Sequence, residues 1–189
     1  MDQSRAFLHH LESVVSRYRG EVAAKSEHLS VLRWQISQRD SLHDRNTMPG
    51  HITTSAIILS PDLKQVLLID HISIGRWLQP GGHYEPSQYF YQSALREAVE
   101  ETGVVGLSLH PWHHGDVPFV IDTHDVPGKK LRHEQDHVHH DLQYLFLADP
   151  SPRLTPQQEE VHRAEWKPFD ELNEISPKAV ARLRAISDL

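Results

Sequence analysis

The sequence predicts a compact α/β or α+β sandwich, because short apolar runs suited to strands are separated by segments with helical periodicity. Its 189 residues suit one domain of ordinary size with an extension. Hydrophobic residues make up 38% of the chain and charged residues 24%, a balance typical of folded proteins rather than disordered ones. We therefore expect an N-terminal helical arm over residues 1–47 and one main domain over residues 48–189.

The N-terminal arm is predicted from apolar residues at helical spacing between Ala6 and Tyr18, followed by a less regular apolar stretch between Leu29 and Ile36. The polar run 37–46 then breaks the pattern, and the turn residues 48–50 precede the main domain. The arm could cover a substrate cleft, form the interface of a homodimer, or cap the exposed side of a sheet. We favour the last of these roles.

Strands are predicted in a series of short β-like runs. Residues 52–59 and 66–69 flank the turn 60–62 and form an expected hairpin, and another run surrounds Trp77 and Leu78. Later strands are expected at 104–109, 117–121, 139–147 and 164–168, before a C-terminal helix at 177–186.

The clearest helix runs from Tyr89 to Thr102, because this segment lacks proline and glycine and is rich in Ala, Leu and Glu. It stops at Gly103, where glycine suits a left-handed helix cap. Residues three and four apart share a helix face, and the opposite face is expected to lie on a sheet through Tyr91, Ala94, Leu95, Ala98 and Val99.

Three carboxylates share the other face of this helix. Glu97, Glu100 and Glu101 project together, with Arg96 beside them. Carboxylates this close disfavour each other's ionised form unless a cation lies between them. Ligation by oxygen alone favours Mg²⁺ or Mn²⁺, so the spacing predicts a site for one of these ions. An acidic helix face can also be a plain solvated surface.

The segment from Gly82 to Val104 resembles the Nudix box, G-x5-E-x7-R-E-U-x-E-E-x-G-U, in which U is an aliphatic residue. It departs from that pattern at Gln88, where the family has glutamate. The strand order is also similar to that of the Nudix fold, which implies an α/β/α sandwich with a mixed sheet and, here, an N-terminal helical extension. The resemblance implies a divalent-metal-dependent pyrophosphohydrolase, in which water attacks a phosphorus of a small molecule linked to a nucleoside diphosphate.

Metal-site roles follow from this resemblance. It implies that Glu97, Glu100 and Glu101, together with the Gly81 carbonyl, bind one to three Mg²⁺ or Mn²⁺ ions. Arg96 would orient Glu97 through a charge-assisted hydrogen bond. Gly81 and Gly82, at the start of the box, let the backbone turn tightly and approach a ligand.

The general base is expected among the acidic residues. Glu97 is one candidate. Family members often recruit another acidic residue from a loop ahead of a late strand, and Glu160, six residues before Trp166, has that position, with Glu159 as the alternative.

A histidine-rich segment, residues 133–141, precedes the apolar strand that ends at Leu147. In a strand, His139 and Asp141 face one way and His140 the other. They could bind metal or phosphate, although such residues are more often ordinary polar ends of strands. Our candidate substrate-binding residues are His83, Glu85, His139 and Asp141.

Several classes of function are excluded or disfavoured by composition. The chain has no cysteine, which excludes disulfides, thiolate zinc sites and cysteine catalysis. It also disfavours an isoprenoid diphosphate isomerase on the same scaffold, because those enzymes typically use a cysteine. The formal net charge of −7 argues against broad binding of nucleic acid, and the Nudix resemblance implies a small-molecule diphosphate as the partner.

Membrane and export signals are not expected. No stretch approaches the roughly 18 apolar residues of a membrane span, and the N-terminus lacks a basic start followed by an apolar run. A cytoplasmic location is therefore the default expectation.

Two further readings stay open beside the enzyme. The chain could be a catalytically weak or inactive Nudix-like domain that binds a phosphorylated ligand for regulation, and Gln88 is the feature that favours this. The 16 histidines also leave open a histidine-bound transition-metal protein.

Overall fold

A computed structural model describes residues 3–21, 29–128 and 135–187. Its helices are α1 (Gln3–Glu21), α2 (Ser30–Gln38), α3 (Phe90–Thr102), α4 (Leu172–Ile175) and α5 (Pro177–Ile186). Its strands are β1 (Gly50–Leu59), β2 (Gln65–His71), β3 (Arg76–Leu78), β4 (Gly81–His83), β5 (Ser108–Leu109), β6 (Val120–Val126), β7 (His137–Leu147) and β8 (Val161–Pro168). Within these ranges, no helix is both long and apolar enough to span a membrane.

The strands form one mixed sheet in the order β3-β2-β1-β7-β5, with β4 paired to β1, β6 to β7 and β8 to β2. Strand β1 runs parallel to β7 along its whole length, from Gly50 opposite Val138 to Leu59 opposite Leu147. The other pairings are antiparallel, including the expected hairpin of β1 and β2. Strand β1 is therefore central and touches β2, β4 and β7.

Two apolar clusters lie on opposite faces of this sheet. The first joins the sheet to α1, α2 and α3 through residues that include Leu11, Leu32, Ile58, Ala98 and Tyr144. The second joins it to α4 and α5 through residues that include Ile57, Leu59, Leu172, Val180 and Leu183. Helices thus cover both faces, and the predicted α/β/α sandwich with a mixed sheet is confirmed.

The N-terminal helix α1 contributes to the first cluster. Its buried side chains follow the predicted helical spacing and are Leu8, Leu11, Val14, Val15 and Tyr18. The arm therefore packs over one face of the sheet, which is the role we favoured from the sequence. The division into an arm and a main domain at residue 47 stays a prediction.

Three local predictions were wrong. The strand expected at 104–109 is limited to Ser108–Leu109, and strand β4 was missed because two of its three residues are glycines. The rotation of α3 was also misjudged, since Val99 is 44% exposed whereas Glu101 is only 3% exposed. Glu101 is buried because its carboxylate accepts a hydrogen bond from the Gly81 amide of β4. The apolar side chain of Val99 has no hydrogen-bond acceptor and cannot replace it there.

The first turn of α3 is held by Asp116, which is buried in the loop before β6. Its carboxylate accepts hydrogen bonds from the amides of Phe90 (2.7 Å) and Tyr91 (3.1 Å). These amides have no partner within the helix, and a negative charge at this end also complements the helix dipole. The same carboxylate lies 2.6 Å from Nε2 of His10 on α1. Asp116 therefore fixes α3 relative to the arm.

A half-buried histidine links the loop before β6 to strand β7. His113 accepts a hydrogen bond at Nε2 from the Leu145 amide (3.0 Å), so its Nδ1 donates to the Val117 carbonyl (2.9 Å). Burial lowers the pKa of His113 from 6.5 to about 4. The ring is therefore neutral when the protein is folded at neutral pH, and a proton on Nε2 would break the bond from Leu145.

Replacing Asp116 by alanine should lower the free energy of unfolding by about 2–3 kcal/mol, because two amides of α3 lose their charged acceptor in a buried place. Urea denaturation followed by circular dichroism measures this. The exposed Asp125 on β6 provides the control, and Asp125→Ala should change stability by less than about 0.5 kcal/mol. Equal effects of the two substitutions would contradict this role for Asp116.

Acid should destabilise the protein between about pH 6.5 and pH 4 in part through His113. In this window unfolded His113 takes up a proton and the folded residue does not, so the free energy of unfolding falls as the pH is lowered. The contribution of this single residue is up to about 3 kcal/mol. Denaturation across this range should give a flatter pH dependence for His113→Gln than for the parent. The exposed His162→Gln should retain the parent slope, and an unchanged slope in both variants would refute the assignment.

Candidate active site

Arg96 on α3 lies at the centre of a group of carboxylates. Its Nη2 is 2.7 Å from Oε1 of Glu97, and its Nη1 is 2.6 Å from Oε2 of Glu100. Its Nε lies 3.4 Å from Oε2 of Glu85, in the loop before the helix. One guanidinium thus fixes carboxylates from two segments, which suits its planar set of donors.

Glu101 is the most deeply buried carboxylate of this group. Its Oε2 accepts a hydrogen bond from the Gly81 amide at 2.8 Å. Burial raises its pKa from 4.5 to about 8, against the effect of the Gly81 hydrogen bond and assisted by the charges of Glu97, Glu160 and Glu100. The ionised form of Glu101 therefore lacks a positive partner.

Glu97 also has a raised pKa, although it forms an ion pair with Arg96. Burial raises its pKa, while the charge and hydrogen bond of Arg96 lower it and the charges of Glu100 and Glu85 raise it further. Two carboxylates on adjacent turns, one buried and one mostly buried, thus both disfavour ionisation. A divalent cation would reverse this, and the donors available to it here are oxygens, so the residues fit Mg²⁺ or Mn²⁺.

Two glycines of β4 allow the sheet to approach these carboxylates. A Cβ atom added at Gly82 would lie 2.5 Å from Oε1 of Glu97. On the other side of the strand, a Cβ at Gly81 would lie 2.5 Å from Cβ of Ser55 and 2.7 Å from the Thr54 carbonyl oxygen. A side chain at Gly81 would therefore push β4 away from the backbone of β1, whereas one at Gly82 would displace the Glu97 carboxylate.

Glu160 and Gln88 lie at the margins of the group. Glu160 immediately precedes β8, its carbonyl accepts the Ile72 amide at 3.0 Å, and its charge acts on Glu101. Gln88 is exposed before α3, and its Nε2 donates to the Tyr89 hydroxyl at 3.2 Å. The replacement of glutamate at this position leaves the three ion pairs of Arg96 in place.

Asp141 lies on the other face of the sheet from α3. Its buried carboxylate accepts hydrogen bonds from Ser55 Oγ (2.6 Å), Gln143 Nε2 (3.0 Å) and Thr53 Oγ1 (3.2 Å). Thr54 lies between Thr53 and Ser55 in β1 and points to the other face. There its hydroxyl donates a hydrogen bond to the Ser93 hydroxyl on α3. Burial raises the pKa of Asp141, and its hydrogen bonds oppose that shift.

Histidines cover this same face beside Asp141. The ring of His51 lies 5.1 Å from that of His83, 4.9 Å from that of His139 and 5.1 Å from that of His137, between centroids. Burial, with the neighbouring rings, lowers the pKa of His51 to about 4 and that of His139 to about 2. The start of the histidine-rich segment, residues 133 and 134, lies outside the described residues.

The candidate residues therefore separate into two neighbouring groups. Glu97, Glu100 and Glu101 meet with Arg96 and Glu85 on the α3 side of β4, with Gly81 and Glu160 close to Glu101. His83, His139 and Asp141 lie on the opposite side of the sheet. His51 and His137 join them there and were missed. The alternating polar residues His51, Thr53 and Ser55 in β1 are the sequence signal that could have identified this face.

The NUDIX domain family model matches residues 49–189, which is most of the chain and includes all of these side chains. The chain belongs to the Nudix family. The resemblance found in the box from Gly82 to Val104 is thereby confirmed. Membership makes the chain a pyrophosphohydrolase of the Nudix type.

Individual relatives are distant. A protein of Lactococcus lactis subsp. cremoris named as a probable DHNTP pyrophosphohydrolase is 23% identical over 139 residues, covering 71% of this chain and 78% of the relative.

Solved structures share the fold. A NUDIX-family hydrolase of Clostridium perfringens superposes with a TM-score of 0.50 at 21% identity, covering 72% of this chain and 98% of that one. An Ap4A hydrolase of C. elegans gives a TM-score of 0.50 at 16% identity, covering 71% and 96%. At these identities the likeness concerns the architecture alone.

Because Gly82 lies close to the Glu97 carboxylate, a substitution there should lower activity more than stability. Gly82→Ala should displace the Glu97 carboxylate, which can swing aside, so the free energy of unfolding should change by no more than about 1 kcal/mol. Hydrolytic activity should fall at least about tenfold, because a carboxylate of the site is misplaced. Urea denaturation and steady-state kinetics on the same sample measure both quantities. Full activity in the alanine variant would show that the position of Glu97 does not matter.

Proposed function

We propose that this protein hydrolyses the diphosphate linkage of a small molecule attached to a nucleoside diphosphate, with Mg²⁺ or Mn²⁺ as cofactor. One observation carries the proposal. Glu97 and Glu101 both have a raised pKa and both lie against the backbone of β4, where negative charge is left without a sufficient positive partner. Such a place suits a divalent ion and the phosphates that it neutralises.

The metal ligands proposed are Glu97, Glu100, Glu101 and the Gly81 carbonyl. When bound, the ion would neutralise part of the diphosphate charge. It would also lower the pKa of a bound water molecule, so that hydroxide is available at neutral pH. The protein's own contribution is to hold these oxygens in place. Gly81 donates its amide to Glu101, which aligns the strand with the helix at that point.

Arg96 is proposed as a positioning residue. Its two terminal nitrogens hold Glu97 and Glu100 at 2.7 and 2.6 Å, so neither carboxylate has to be ordered when a ligand arrives. Glu85 completes the set from the loop before the helix.

A proton acceptor for the attacking water is proposed among two residues. Glu160 is exposed and lies close enough to Glu101 for its charge to raise the pKa of that residue. Glu97 is the other candidate, and its contact with Arg96 favours its ionised form. The pH dependence of hydrolysis by Glu160→Gln separates the two, because loss of the base removes the acid limb of the profile.

Substrate contacts are proposed at His83, Glu85, His139 and Asp141. His83 follows the two glycines within β4, and its ring lies on the histidine face, 5.1 Å from that of His51 and 5.5 Å from that of His139 between centroids. The name of the L. lactis relative supports a pyrophosphohydrolase reaction. DHNTP therefore belongs in the substrate panel with nucleotide sugars, ADP-ribose, dinucleoside polyphosphates and nucleoside triphosphates.

A second candidate function is the binding of a phosphorylated ligand with weak hydrolysis or none. Gln88 favours it, since the family pattern has glutamate there and the exposed amide bonds only Tyr89 among the contacts described. A Gln88→Glu variant far more active than the parent would support this candidate.

Other parts of the sequence reading remain our proposals. They are a cytoplasmic location, the lack of broad nucleic-acid binding and the homodimer as an alternative role of the arm.

Hydrolysis of the panel with Mg²⁺ or Mn²⁺ tests the main proposal, with products identified rather than phosphate alone. Glu97→Gln and Glu101→Gln should each lower kcat/KM at least about a hundredfold, because a charged oxygen ligand becomes a neutral one. The exposed Glu174→Gln on α4 is the matched control and should keep full activity. Metal-dependent hydrolysis that survives both substitutions would overturn the assignment.

A further inference from the structure

Three histidines lie together on the sheet face opposite α3, outside the carboxylate site. His51, His137 and His139 each offer a ring nitrogen, and these nitrogens lie within 4.8 Å of one another. Strand pairing fixes their backbones, because His51 on β1 stands opposite His139 on β7. His137, two residues from His139, projects from the same face. The cluster is therefore held by the central parallel pair of the sheet.

His51 provides the second observation. Its side chain is 2% exposed, and among the residues that the structure describes its closest polar backbone neighbour is Thr47, which does not reach standard hydrogen-bond geometry with either ring nitrogen. Buried polar atoms are almost always paired, and Thr47 can serve only one of the two nitrogens, so the other calls for a further partner. A metal ion bound at one nitrogen would supply it.

His137 is oriented as metal-binding histidines usually are. Its Nδ1 lies 2.9 Å from the Gln135 carbonyl oxygen, so the proton is on Nδ1 and Nε2 carries a lone pair. A backbone acceptor on the far nitrogen is the common support of a histidine that binds metal. The lone pair points to the cluster, since Nε2 lies 3.2 Å from Nε2 of His139.

The spacing between these two nitrogens matches a tetrahedral ion. Zinc–nitrogen bonds of about 2.0–2.1 Å place two ligand nitrogens about 3.3–3.4 Å apart. A hydrogen bond between the two rings would also fit 3.2 Å, with Nε2 of His139 as the donor. That bond would leave one ring nitrogen of His51 without a partner, whereas one ion would bind a nitrogen of all three rings.

We propose that His51, His137 and His139 bind one divalent transition-metal ion of the zinc class, at a site separate from the carboxylates of α3. Imidazole nitrogens favour Zn²⁺, Ni²⁺, Co²⁺ and Cu²⁺ over Mg²⁺, which prefers oxygen. Three ligands leave a fourth position for water or another small ligand. A surface depression of about 320 Å³, lined in part by Pro49, Asp136 and His137, lies beside one of the three ligands.

The test uses the full chain after removal of metal with a chelator, followed by calorimetric titration with Zn²⁺. Each variant is checked for its thermal unfolding before titration. The parent should bind one equivalent at the cluster, and His51→Gln and His139→Gln should each weaken that event at least tenfold. His162→Gln, at an exposed position on β8, should bind as the parent does. Glu101→Gln should also retain the zinc event, which separates this site from the proposed hydrolytic site.

Zinc-edge X-ray absorption of the one-to-one parent complex gives a second measurement that does not depend on how the variants fold. A shell of three imidazole nitrogens supports the proposal. A shell of oxygens, or zinc binding that is lost in Glu101→Gln and kept in the histidine variants, would overturn it. So would a parent that binds zinc no better than His51→Gln, and either result would leave the test of hydrolysis unaffected.

Discussion

Helix α3 lies so close to strand β4 that the Gly81 amide donates directly to the Glu101 carboxylate, and the rest of the site depends on this approach. It requires glycine on the strand and a carboxylate turned inward on the helix. The approach withdraws the Glu101 carboxylate from water, and among the residues that the structure describes no cationic side chain pairs with it. Asp116 restrains the other end of the helix, so the carboxylates are held in position from both ends.

Strand β1 explains how two groups with different ligands come to lie back to back. Alternate residues point to opposite faces, so Thr54 meets α3 whereas His51 and Ser55 face the other way. The parallel pairing of β1 with β7 then adds His139 and Asp141 to the second face. One strand thus serves both an oxygen-rich cluster and a nitrogen-rich one.

Sequence spacing predicted what is local and failed where distant segments meet. Glu97, Glu100 and Glu101 could be assigned to one helix because their spacing follows the helical period, and Gly103 marked its end. The inward turn of Glu101 could not be predicted, since it depends on an amide in a strand whose glycines give no β signal. The pairing of His51 with His139 likewise depends on the register of two strands that are far apart in the chain.

The family model begins at residue 49, yet the chain folds its arm onto that region through His10 and Phe90. The two rings stack at 5.1 Å between centroids. The same histidine donates a hydrogen bond to Asp116, whose carboxylate accepts the first amides of α3. A fragment that contained only the matched region would expose Phe90 to water and lose one donor to that aspartate. The arm therefore supports the matched region, and a shortened version would lose contacts at the start of the helix that bears the acidic residues.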